Sequence, residues 1–413
     1  MIKYLSRLSN LEEWEKTLWV VFFSQLVTVV GFASIFPFLP LYVQSLGSRL
    51  SLSVEILSGL VFSSQAFTMM IASPIWGAIA DRFGRKLMVE RAMFGGAIIV
   101  FLMGYADSAE TLILLRAVQG LVTGSVSAAN ALIAATVPRK QIGFAMGLMQ
   151  VALWGGIAIG PLIGGALADA FGYRLSFVVT AGLLLVAGVM VRRGVNEKFE
   201  PPEPTESRRP SILAQWRSIL ATPGVKVAYT IRFLSGLGQI IVFPIAPLFI
   251  MTLLPADAPV NFYTGLIIGV GGMTSTLTAV TLGRLGDRMG HRTILLGSTL
   301  LAGLCYLPQA LVSSAWQLLF WQALAGAGLG GIITSLTALL GQYTQRGEEG
   351  SVYGLDGALV SASRVIAPLA GASIAYWFSM RLTFTVTGVL YLLIFALVRW
   401  QLPRQPATVS TLG

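Results

Sequence analysis

Of eighteen Asp and Glu in this 413-residue chain, one sits well inside a long apolar run: Asp356, in SVYGLDGALVSASRVIAPLAG. Three arginines are placed similarly, Arg116 in LLRAVQG, Arg232 in TIRFLSG, and Arg364 in the same run as Asp356. A carboxylate taken out of water tends to keep its proton, and a guanidinium nearby makes it release that proton, so a carboxylate whose surroundings alternate is a proton carrier. Asp356 is one candidate for that role, with Glu90 a shallower one. On a helix Asp356 and Arg364 would lie about 12 Å apart along the axis and about 80° apart around it, which argues against a direct pair. Asp356 reads equally well as an acidic cap in the first turn of its helix, facing the loop at Asp81.

What positions these groups is a set of long apolar helices. The chain is 55% hydrophobic and only 11% charged, whereas a soluble domain carries about 25% charged residues. Runs of roughly 20 apolar residues suit a bilayer core of about 30 Å. Twelve are expected, at 17–43, 55–80, 87–106, 111–137, 141–170, 174–192, 226–254, 260–283, 293–311, 315–342, 351–377 and 381–400, making an all-α membrane protein of twelve transmembrane helices. The net charge of +10 could suggest nucleic acid, but the basic residues sort by side. Arg49, Arg174 and Arg381 fall in loops at one end, and Arg116, Arg232 and Arg364 fall within runs. All other Lys and Arg lie at the opposite end. That bias places both termini in the cytoplasm and the basic charge at a lipid surface, with no role for nucleic acid. The single cysteine, Cys305, and single histidine, His291, exclude an internal disulfide and a Cys- or His-based metal centre. No metal or other cofactor is expected.

Residues 77–86, GAIADRFGRK, return as GRLGDRMGHR at 283–292. Pro37 and Pro40 return as Pro244 and Pro247, Gly120 and Gly124 as Gly326 and Gly330, Pro161 and Gly164 as Pro368 and Gly371, and Phe171 and Arg174 as Phe378 and Arg381. The offset is 206 or 207 throughout. Two pseudo-symmetric six-helix bundles are therefore expected, at 1–192 and 226–413, joined by a polar, proline-bearing cytoplasmic linker at 193–225. Within the linker Ile212, Leu213, Trp216, Ile219 and Leu220 recur at helical spacing, so a surface helix there is expected, as is one near Leu11 and Trp14. Parallel repeats of this kind place a substrate site at their interface near the bilayer midplane.

On these residues the sequence resembles the major facilitator superfamily, and within it the twelve-span drug:proton antiporters. GAIADRFGRK is similar to the family's loop signature between spans two and three. Its Gly77, Asp81, Arg82, Gly84, Arg85 and Lys86, with Gly283, Asp287 and Arg288 in the repeat, are read as a conformational latch. Asp81 would face a helix dipole or an arginine, Gly77 would allow close packing, and Gly84 a tight turn. In span five Gly147, Gly156, Gly160, Pro161 and Gly164 resemble the antiporter motif of the family's exporters, where small residues permit bending and close approach. Ala367 replaces Gly160 in the repeat. Arg116 resembles the fourth-span arginine that the family links to proton transfer, and its repeat partner is Gln322. FPFLPLYV, IASPIWGAIADRFGRKLM, ANALIAATVPR and EKFEP resemble the MdtG-type multidrug efflux branch. Many drug antiporters carry an acidic residue in span one, where this chain has Gln25.

A greasy, adaptable cavity is expected from Phe32, Phe36, Met149, Trp154, Tyr229, Phe233, Met273 and Tyr353, with Gln25, Arg116, Arg232 and Arg364 as its polar members. No Gly-Lys dipeptide, H-E-x-x-H or G-x-S-x-G occurs, which removes the usual signatures of ATP-driven transport and hydrolysis, so no enzyme activity is expected. The resemblance implies a monomeric secondary exporter in a bacterial inner membrane, exchanging amphipathic cationic or neutral small molecules for protons. A sugar or lipid exporter, an uncoupled facilitator, and a receptor or scaffold are the alternatives.

Overall fold

A computed structural model describes residues 12–197, 199, 224–343 and 349–402, with only the backbone described for 81, 342, 343, 349–351 and 353. The expected linker helix at 212–220 and the position of Leu11 lie outside the described residues. All regular structure among the described residues is helical. The helices are α1 (Glu13–Ser34), α2 (Leu39–Leu46), α3 (Val54–Phe83), α4 (Arg85–Met103), α5 (Ala109–Val122), α6 (Ser125–Thr136), α7 (Ile142–Gly194), α8 (Val225–Ile240), α9 (Ala246–Thr252), α10 (Val260–Met289), α11 (His291–Gln309), α12 (Ala315–Tyr343), α13 (Glu349–Trp377) and α14 (Met380–Gln401).

Eight segments are each long and apolar enough to cross a membrane, counting α5 with α6 as one. One of the eight, α7, holds two passages, because Gly172 leaves helical geometry midway (φ 79, ψ 168). The pair α8 and α9, interrupted around Pro244, and the charge-started α4 and α11 occupy the other expected spans among the described residues. Three expected continuous spans are thus broken helices. Span one divides at Ile35–Phe38 around Pro37, span four at Thr123–Gly124, and span seven at Ile241–Ile245. Proline lacks the N–H needed to continue the ladder. Large apolar side chains stay exposed, Leu311 at 82% and Trp400 at 80% among them. Such a surface suits lipid, whose tails are as apolar as the side chains. Inside, hydroxyls turn back onto their own helix, as Thr28 donates to Ser24 O and Thr387 to Thr383 O, which satisfies them without water.

The chain forms two compact units. The first unit comprises the described residues within Met1–Leu52, Ser64–Pro204 and Pro259–Gly269, and the second those within Ser53–Ser63, Thr205–Ala258 and Val270–Gly413. Each unit therefore contains the opening turns of one helix whose remainder belongs to the other: α10 opens in the first unit and α3 in the second. The apolar core of the first unit gathers Leu18, Val21, Met93, Leu132, Ile133 and Met149 from α1, α4, α6 and α7.

The sequence repeat is also a repeat of contacts. In the first unit Tyr42 packs on Phe177, and in the second Phe249 packs on Phe384. Thr68 Oγ1 donates to Ala117 O at 2.7 Å, as Thr278 Oγ1 does to Ala327 O at 2.9 Å. Arg174 reaches Gly104 O and Arg381 reaches Ala310 O, each fixing a loop end. Beside the first of these, Thr111 donates to Asp107 and Arg49 pairs with it at 2.5 Å, which together hold that carboxyl below the usual carboxylate range.

Candidate functional site

In the second unit α8 and α13 run side by side and are tied at successive turns. Tyr229 on α8 donates its hydroxyl to Val352 O at 3.0 Å. One turn further, Arg232 grips Asp356 with Nε to Oδ1 at 2.8 Å and Nη2 to Oδ2 at 3.2 Å. Each of these two side chains is 17% exposed. Beyond them Gly236 lies against Ser363, where a Cβ would overlap the hydroxyl. The carboxylate that the sequence singles out is thus held by a bidentate arginine. Arg364 is exposed and, among the described residues, has no ion pair. Asp356 and Arg364 do not pair, as their helical spacing requires.

In the first unit Arg116 is 2% exposed and donates Nη1 to Gln119 Oε1 at 2.7 Å, one turn along α5. Gln119 is itself fully buried, and its Nε2 has no hydrogen-bond partner among the described residues. Gly120 beside them meets the α3 backbone at Gln65 O, just as Gly326 meets Gly271 O in the repeat. Gln25 is 1% exposed in α1, with neither amide atom partnered among the described residues. Glu90 is partly buried and sits 3.7 Å from Lys86, one turn back on α4.

The expected cavity residues separate into groups. Phe32, Phe36, Trp154 and Phe233 are partly buried, and Met273 is 51% exposed. The side chain of Tyr353 lies outside the described residues. Two of the expected aromatic and methionine cavity residues are fully buried. Met149, 2% exposed, is packed into the first unit's apolar core with Leu18, Val21, Met93 and Ile133. Tyr229, 3% exposed, spends its hydroxyl on the α13 backbone and serves as a strap.

At the basic end of the first unit Gly84 makes the turn into α4 at φ +95, and its repeat Gly290 does so at φ +88. A side chain is strained there, so the glycines are required for the turn itself. The first N–H groups of α4 are capped by Glu197, which accepts from Arg85 N at 3.0 Å and Lys86 N at 2.7 Å. Lys86 Nζ reaches Arg192 O and Val195 O, and Arg292 in the repeat reaches Val398 O, Arg399 O and Leu402 O. The two loops are thereby tied to the C-terminal ends of α7 and α14. The Asp81 side chain lies outside the described residues. Arg82 and Arg288 are exposed, and Asp287, also exposed, contacts His291 at 3.2 Å. Gly77 does not pack closely: a Cβ there would meet nothing within 4 Å, and Gly283 makes only ordinary contacts. Glu197→Ala should leave two α4 N–H groups unsatisfied at a helix end. We expect a loss of about 1 kcal/mol, visible as a lower melting temperature of the detergent-solubilised protein, with Glu197→Gln between the two.

The small residues of span five divide by face. Gly156, Gly160 and Gly164 abut Val29, Ala33 and Ser34 of α1, so they bring spans one and five together. Pro161 and Gly165 face the opening turns of α10. Gly147 is open, with nothing within 4 Å of a Cβ, and does not belong to the packed set.

A profile of the Major Facilitator Superfamily matches residues 21–254 and again 228–412, once over each repeat. The chain belongs to this superfamily. Among its relatives, the multidrug resistance protein MdtG of Serratia proteamaculans is 35% identical over 402 residues, 96% of each chain. That of Escherichia fergusonii is 33% identical over 404 residues, 97% of each. Solved facilitators share the fold at low identity. The nucleoside transporter NupG superposes with a TM-score of 0.75 at 12% identity, covering 94% of this chain and 100% of that one. A bacterial homologue of the human lysosomal transporter Spinster gives 0.75 at 14%, covering 94% and 97%.

Three groups in this facilitator escaped sequence reasoning. Glu197 stands in the quoted EKFEP stretch, but its helix-capping role depends on a contact about 110 residues back. Arg91 stacks its guanidinium 3.6 Å from the Trp76 ring centroid, joining α4 to α3 near the break of span four. Asp169 accepts from the first turn of α10. The Gly265-x3-Gly269 spacing in α10 was the available signal for that last contact.

Proposed function

We propose that this facilitator exports amphipathic small molecules across a bacterial inner membrane in exchange for protons, its two bundles alternately opening the site to either side. Both termini are cytoplasmic in this reading, and the working unit is a monomer. The observation that carries it is Asp356 in the grip of Arg232 inside a membrane-spanning helix. A carboxylate there has three competing cationic partners: Arg232, a proton, and a cationic group on the substrate. Competition of that kind couples substrate release to proton uptake, because one partner must leave before another binds. The likeness to multidrug resistance relatives supports drugs as the cargo.

A second reading is favoured by Arg364, exposed and without an ion pair among the described residues. A cation so placed suits a substrate with an anionic group, moved without proton coupling. Purified protein in liposomes separates the two readings. If an imposed pH gradient drives ethidium, a lipophilic cation, antiport stands. If flux of ethidium ignores the gradient while an anionic dye such as anilinonaphthalene sulfonate moves saturably, the uncoupled reading replaces it.

A further inference from the structure

Within the first unit α7 and the opening turns of α10 meet along a seam of small residues. Gly265 lies on Pro161 O, Gly165 lies on Asn261 O, and a Cβ on Gly269 would come 3.0 Å from Ala158 O. The second unit carries the same seam between α3 and α13. Gly59 faces Ala372 and Pro368 O, and Ser63 Oγ donates to Val365 O at 2.7 Å. Gly265 with Pro161 and Gly269 with Ala158 match Gly59 with Pro368 and Ser63 with Val365 at the repeat offset. At the end of the first seam stands a contact the second cannot make. The Asp169 carboxylate accepts from Asn261 N at 3.3 Å and from Asn261 Nδ2 and Phe262 N at 2.6 Å each. These backbone donors belong to the first turn of α10, which no intrahelical carbonyl satisfies and which carries the positive end of the helix dipole. At the matching positions of the second seam stand Tyr376, which has no carboxylate, and Glu55, which lies in the first turn of α3 itself.

We propose that Asp169 is a latch that locks the α7–α10 seam shut at the end away from the basic loops, and that its release is a required step of the transport cycle. The glycines let the two backbones pack closely along the seam, and a polar tie at its end adds a directional contact that must break when that end opens. Asp169 supplies the tie through two oxygens and three donors, and releasing it leaves those donors free for water at the membrane surface. The second seam is tied by the Ser63 hydroxyl partway along, whereas the first is tied by a carboxylate on a helix start, so the two are not equivalent. The proposal rests on the alternating-access reading above.

Spin labels on Ala170→Cys and Leu266→Cys in a Cys305→Ser background, followed by electron–electron double resonance in liposomes, read the seam directly. Asp169→Ala should raise the ratio of long to short distances about three- to tenfold, the effect expected from losing a helix cap. Asp169→Asn, which keeps one acceptor oxygen, should fall between. Asn261→Asp, which sets a carboxylate against Asp169, should open the seam from the other side and keeps the test available if Asp169→Ala does not fold. Unchanged distances in folded Asp169→Asn and Asn261→Asp proteins overturn the latch. The same preparations assayed for flux keep the two ideas apart: a seam that opens in protein without transport upholds the latch and sinks the transport reading, and normal gradient-driven flux with an unmoved seam does the reverse.

Discussion

Asp356→Asn should reduce gradient-driven flux to the level of protein-free liposomes while leaving gradient-free exchange of substrate in place. The amide is nearly the same shape and still accepts a hydrogen bond from Arg232, but it has no proton to exchange. Arg232→Gln should fail differently. Removing one partner of a buried ion pair strands the other charge, at a cost of about 3–5 kcal/mol in a dry interior. With each partner 17% exposed, we discount this to about 2 kcal/mol, read as a lower melting temperature. The combined Arg232→Gln, Asp356→Asn protein should recover most of that stability and remain uncoupled. Recovery of stability together with coupling would remove Asp356 from the mechanism, and a stable single Arg232→Gln protein would show that the pair is not structurally required.

Gly164→Leu should prevent a folded transporter from forming. A Cβ at Gly164 would be driven into Ser34 O, and one at Gly371 into Ile241 O, the matching position of the repeat. Both obstacles are backbone in closely packed helices, so neither neighbour can rotate aside, and the cost exceeds about 3 kcal/mol. The control lies in the same motif. Gly147 has open space around it, so Gly147→Ala should be neutral or stabilising by up to about 1 kcal/mol through helix propensity. Fluorescence-detected size exclusion and thermal melts would score both variants. Equal loss at 147 and 164 would mean that the motif acts through flexibility and not through contact.

The helices, the repeat and the family were legible because each writes itself locally. Apolar length marks a span, and the offset of 206 or 207 survives in glycines and prolines whose packing partners survive with them. Gly120 against Gln65 and Gly326 against Gly271 show why those positions were kept. Pairings across long separations were not legible. Nothing near Asp356 points to Arg232, 124 residues earlier, and spacing alone could only rule out Arg364. The motif at Gly147 to Gly164 was visible as a string, but the string does not say that its outer members face different surroundings. The packing of Met149 and the backbone contact of Tyr229 were not legible either, because an aromatic or a methionine on a spanning helix has the same local sequence whether it lines a cavity or packs a core.

The matched seams also bear on how such a chain could arise. Gly59 with Pro368 O and Gly265 with Pro161 O are one contact made twice, with the roles of donor half and acceptor half exchanged. A single six-helix ancestor facing its own copy would form both at once, by two-fold symmetry, with no new surface to invent. Fusion of two such copies would free each half to change alone, and the charges are where the two halves differ. Arg116 stands where the repeat has Gln322, and Asp169 where it has Tyr376.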